Sequence, residues 1–81
     1  MPVILRFNGC RFFFYSNEGD PLEPIHIHVQ KAEKLAKFWV RPELTLAESY
    51  GFSSKELKQL LHVVKQNATL IERKWNEYFH I

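Results

Sequence analysis

Apolar and polar positions open with two runs, "VILRF" from Val3 and "CRFFFYS" from Cys10, both dense in β-branched and aromatic residues and parted by Asn8-Gly9. Asn-Gly suits the positive φ angles of a type I′ turn, so the stretch predicts a β-hairpin. A two-residue loop fixes the pairing: Phe7 opposite Cys10, Arg6 opposite Arg11, Leu5 opposite Phe12 and Ile4 opposite Phe13. One face then carries Val3, Leu5, Phe7, Cys10, Phe12 and Phe14. The other carries Ile4, Arg6, Arg11, Phe13 and Tyr15.

Asn17 to Pro24, "NEGDPLEP", reads as a loop from its Gly, Asp and two prolines. Beyond it Ile25, Ile27 and Val29 alternate with His26, His28 and Gln30, the period-two pattern of a half-buried strand. Both histidines therefore fall on the face turned away from the core. A turn around Ala32 to Lys34 leads into "LAKFWV", a further strand, and "ELTLA" after Pro42 predicts a short additional one.

Ser53 followed by Glu56 forms a capping box, with Phe52 and Leu57 placed as its hydrophobic staple. Apolar residues recur at Leu57, Leu60, Leu61, Val64, Ala68, Ile71, Trp75, Tyr78 and Phe79, a stripe along one side of a long helix. Unbroken from Ser53 to Phe79 it would run roughly 40 Å, longer than a small domain is wide. Either it breaks near Gln66 to Thr69, where Asn and Thr lower helix propensity, or its aromatic end projects and needs a partner. The pattern predicts an α+β fold. An antiparallel sheet of four or five strands opens with the β-hairpin, and one long C-terminal helix packs across it.

With 81 residues the chain makes a single domain, 1–81, because two cores of half that size would each be too small to offset chain entropy. A net charge of +2 is too small to argue for nucleic-acid binding by itself, so local clusters must carry that case. One cysteine, Cys10, excludes an internal disulfide framework and fits a reducing compartment. On the predicted apolar face, it reads as a small buried hydrophobe. No apolar run reaches the length of a membrane span, and no signal-peptide pattern opens the chain, which predicts a cytoplasmic protein with no membrane partner.

The segments "RFFFYSNEGD" from Arg11, "HIHV" from His26, "AKFW" from Ala36, "GFSSKEL" from Gly51 and "WNEYF" from Trp75 cover most of the chain in order. Together they resemble a bacterial family catalogued as domain of unknown function four-one-six-zero. The chain departs from that pattern at Ile25, where the family commonly has proline, and at "KAEKL", where it often has a glycine-bearing turn. The resemblance implies a setting like a type II toxin-antitoxin pair. This chain would be the presumed toxin, beside a cognate antitoxin-like protein.

His26 and His28 are the candidate catalytic residues. Imidazole changes charge near neutral pH without special tuning, so paired rings can divide donor and acceptor roles. Metal-free RNA cleavage needs such a pair together with a cation for the phosphate. Arg6 and Arg11, opposed across the hairpin, supply the candidate phosphate-binding pair, and like charges so placed call for an anion between them. Tyr15 and Glu18 are candidate supporting residues, and Tyr15 and Phe13 can stack bases. The plainer account is that the histidines are solvated strand residues and the arginines pair with Glu18, Glu43 or Glu48. A metal needs a third ligand, from His62, His80, Glu18 or Glu23. No spacing selects one of them, so neither metal nor cofactor is assigned. The leading reading is a toxin-like component acting on RNA. The alternative is a non-enzymatic protein-binding module that assembles an oligomeric complex.

Overall fold

The computed structural model describes residues 2–16 and 23–80. Five strands and two helices follow one another: β1 (Val3–Phe7), β2 (Cys10–Phe13), β3 (His26–Lys31), β4 (Lys34–Trp39), β5 (Thr45–Tyr50), α1 (Ser54–Gln66) and α2 (Ala68–Phe79). The strands form one antiparallel sheet in chain order. The fold is α+β, with the sheet at the upper of the two expected strand numbers. Most of the loop expected over 17–24 lies outside the described residues.

The hairpin forms as its turn chemistry requires: Asn8 and Gly9 both take positive φ, at 49° and 77°. Phe7, Arg6 and Leu5 face Cys10, Arg11 and Phe12 as expected, but Phe13 faces Val3 rather than Ile4. An irregularity between Val3 and Leu5 shifts the register. Its effect is to let Ile4 join Leu5 against the core while Val3 turns outward, 40% exposed. Burial of the larger side chain outweighs the ideal ladder that a two-residue turn alone would set.

Alternation along the strands sorts the sheet into two faces. Cys10, Phe12, Phe14, Ile27, Val29, Ala36, Phe38 and Val40 form the core face, packed against Leu60, Val63, Val64, Ile71 and Trp75 of the helices. Among the described residues, α2 reaches the opposite face at its His26 end, through Trp75. That face carries the chain's candidate chemistry.

The helical segment is broken, correcting the expectation of one long helix. Asn67 caps α1 with φ −113° and ψ 15°. Its backbone N–H is shared between the carbonyls of Val63 and Val64, and its side-chain amide donates to the Val63 carbonyl at 2.8 Å. A side chain that competes for helix carbonyls loosens regular winding at that point. The gain is in packing. The largest extent of the fold is 34 Å, so a straight helix of roughly 40 Å would overhang it. After the break, Trp75 meets Phe14 edge-on at 5.1 Å, and Tyr78 and Phe79 pack against the core. The aromatic end is thus folded in and does not project. The capping box stands as expected, with Ser53 Oγ accepting from the Glu56 N–H at 3.1 Å and the Glu56 carboxylate accepting from the Ser53 N–H at 2.8 Å.

Candidate functional site

On the open face, strand register lines side chains into transverse rows. The central row runs Phe13, His28, Lys37, Glu48 across β2 to β5. One flanking row runs Arg6, Arg11, Gln30, Leu35, Tyr50. The other pairs His26 with Trp39 and Trp39 with Thr45. Directly opposed residues of an antiparallel pair have Cβ atoms about 5 Å apart, so each row is a line of touching neighbours. The middle of this face sinks into a groove of about 280 Å³, walled by Phe13, Tyr15, Leu35 and Tyr50 and bearing His28, Lys37 and Glu48.

His28 is half-buried and held by rings. Tyr15 meets it edge-on at 4.5 Å, Phe13 lies nearly parallel at 5.7 Å, and His26 stands perpendicular at 5.1 Å. The two histidines therefore share one side of the sheet and lie side by side, but they are not equally open. His26 is 0% exposed, which corrects the expectation that both rings stand clear of the core. Its strand begins beside α2, whose Trp75 ring closes over it at 5.1 Å, while Trp39 flanks it at 5.2 Å. His26 Nδ1 lies 2.9 Å from the Pro24 carbonyl. A carbonyl can only accept, so Nδ1 carries a proton in that contact. His26 thus ties the helix core to the groove and positions His28. His28 is the ring that a ligand in the groove would meet.

Lys37 is the cation nearest by register, directly opposite His28. Its Nζ sits 4.3 Å from the Trp39 ring centroid and 3.7 Å from a Glu23 carboxylate oxygen. Of the predicted arginine pair, Arg6 and Arg11 do face each other. Arg11 donates to Gln30 Oε1 at 2.6 Å and lies over the Phe13 ring at 5.6 Å, one row from His28. Arg6 is exposed on the outermost strand. Tyr15 lies in the site. Glu18 lies outside the described residues.

Sequence reading missed Lys37, Trp39, Glu48 and Tyr50 as site residues. A signal existed in the alternation of Leu35, Lys37 and Trp39, but it gives the face of the strand and not the register that sets Lys37 opposite His28. Lys31 pairs with Lys34 across a two-residue turn at Ala32-Glu33, and Ala32 takes φ 53°, a conformation alanine does not advertise. Among the described residues, no three His, Cys, Asp or Glu side chains converge as a metal site requires. His62 is exposed on α1, and His80 caps α2 in the left-handed region.

A meander sheet backed by helices on one face, with an aromatic-walled, charged groove on the other, defines a small α+β domain. The chain belongs to the family described as Domain of unknown function (DUF4160), matched over residues 9–76. No curated protein and no solved structure matches it. No helix among the described residues is long and apolar enough to cross a membrane.

Proposed function

We propose that this chain is the toxin-like component of a bacterial two-protein module, acting on RNA through the open sheet face and held inactive by a cognate antitoxin-like protein. The observation that carries the RNA reading is the placement of His28 directly opposite Lys37 in the groove. A base beside a fixed positive charge is what RNA self-cleavage needs. In the proposed step His28 takes the proton from a ribose 2′-hydroxyl, and the freed oxygen attacks the adjacent phosphorus. The bond to the 5′ oxygen breaks, and that oxygen leaves with a proton returned by the same ring or delivered by solvent. Lys37 and Arg11 offset the charge gathering on the phosphate oxygens. Tyr15, 38% exposed, offers a ring surface on which a single-stranded base stacks.

Expression of the protein in a host cell, with and without its neighbouring gene, tests the module. Growth arrest relieved by the neighbour is the expected result, and unimpaired growth without the neighbour overturns the toxin reading.

A second reading, a non-enzymatic module that assembles a complex, is favoured by β5. All six of its residues are exposed at the sheet edge, Leu46 by 41% and Tyr50 by 71%. An unblocked edge strand is a template for strand addition by another chain. Ordered oligomers from a protein that does not bind RNA would favour this reading over the first.

A further inference from the structure

We infer that the groove reads one nucleobase, selecting a base whose edge presents an exocyclic amino group, with Glu48 as the reader, Lys37 as the phosphate contact and Tyr50 as the stacking platform. This rests on the RNA reading above and adds a specificity to it. The two charged ends of the groove carry the inference. Lys37 and Glu48 are cross-strand neighbours, yet the ion pair of Lys37 runs to Glu23, at 3.7 Å, and not to Glu48. The Lys37 ammonium lies over Trp39 at 4.3 Å, and among the described residues Glu48 forms no ion pair at the β5 end of the groove.

A polyanion cannot lie along the whole groove, because its β5 end carries a carboxylate. A phosphate is placed at the His28 and Lys37 end, and the group that reaches Glu48 must be a hydrogen-bond donor. A carboxylate is acceptor-only; a base offers it an exocyclic amine, which projects from the ring, or an imino N–H, which in uracil lies between two carbonyl oxygens that a carboxylate repels. Between the two ends the walls are Leu35, Phe13 and the rings of Tyr15 and Tyr50, apolar and flat enough for a base. Tyr50, 71% exposed and directly opposite Leu35, is free of the core and placed to cover a base from the β5 side. Cytosine carries the amine and uracil has a carbonyl at the same position, so the two pyrimidines differ in the group that Glu48 would read.

Binding of the full-length protein to single-stranded cytidylate and uridylate homopolymers, each about ten nucleotides long, measured by fluorescence anisotropy at two salt concentrations, provides the test. The expected result is salt-sensitive binding that favours cytidylate by about tenfold, the scale of one good base-edge contact. Glu48→Gln, whose amide can both donate and accept, should remove the preference without lowering uridylate binding. Glu48 is on the surface, and an unchanged circular dichroism spectrum would show that the variant folds. Lys37→Gln should weaken both homopolymers and flatten the salt dependence, and Tyr50→Ala should weaken both at either salt. Equal, salt-sensitive binding of the two, or a cytidylate preference that survives in Glu48→Gln, overturns the base-reading inference and leaves the RNA reading standing. Absence of binding to either at low salt overturns both.

Discussion

His28 and Lys37 face each other across β3 and β4 in the groove. Around this pair His28 packs against Phe13, Tyr15 and His26, while Lys37 lies over Trp39 and pairs with Glu23. The proposed RNA reading places its phosphate beside this pair.

His26→Ala and His28→Ala should therefore part company. Removing the His26 ring empties a fully buried position among Trp39, Trp75 and His28 and strands the Pro24 carbonyl, so a stability loss of about 2–4 kcal/mol is expected in denaturant unfolding. His28→Ala, at a half-buried position on the groove wall, should cost about 1 kcal/mol or less and abolish toxicity and any RNA turnover. Equal destabilisation by the two would contradict the burial difference, and toxicity surviving His28→Ala would remove that ring from the mechanism.

The N-terminal cap of α1 should give the fold an acid-sensitive component. The Ser53 backbone N–H, followed by the Lys34 side chain at 3.0 Å, holds the Glu56 carboxyl below its ordinary value. A carboxyl with a depressed folded pKa stabilises the fold above its unfolded value. That contribution disappears as pH falls through the folded one. Glu56→Gln should thus be less stable than the parent at neutral pH, with the gap closing well below pH 4.5, the ordinary value. Ser53→Ala, which removes the other half of the box, should cost about 1 kcal/mol. Melting temperatures across pH check both.

Cys10 should behave as part of the core. It is 4% exposed, and burial pushes its thiol up from the ordinary value of 9.0. The folded protein should react with a thiol reagent only as fast as it opens, with labelling accelerating sharply in denaturant. The unfolded chain ionises first as pH climbs through 9.0, so this group lowers stability on the alkaline side. Rapid labelling under native conditions would contradict the packing.

Ala32 occupies the left-handed region at φ 53°, where a Cβ is strained. Ala32→Gly should raise stability by about 0.5–1 kcal/mol and leave the His28 to Lys37 pairing in place. Chemical denaturation measures the first, and unchanged RNA binding checks the second.

Local signals along the chain determined much of this protein. The Asn8-Gly9 turn, the alternation around His26 and His28, the Ser53 to Glu56 box and the apolar stripe after it are all short-range patterns, read within one turn or one pair of strands. They yield the hairpin, the third strand, the start of the helix and the face on which the histidines emerge. The weak patterns were those whose outcome depends on distant partners. Asn67 broke the helix because Trp75 and Phe79 gain more by folding back onto Phe14 than a straight helix could offer, and only the size of the sheet sets that balance. Ile4 left its expected place for the same kind of reason. His26 looked as open as His28 until Trp75 closed over it, and Lys37 became a site residue only through the register that the Ala32-Glu33 turn sets against His28. Periodicity fixes which way a side chain points, but which neighbours it meets is decided by burial across the whole fold.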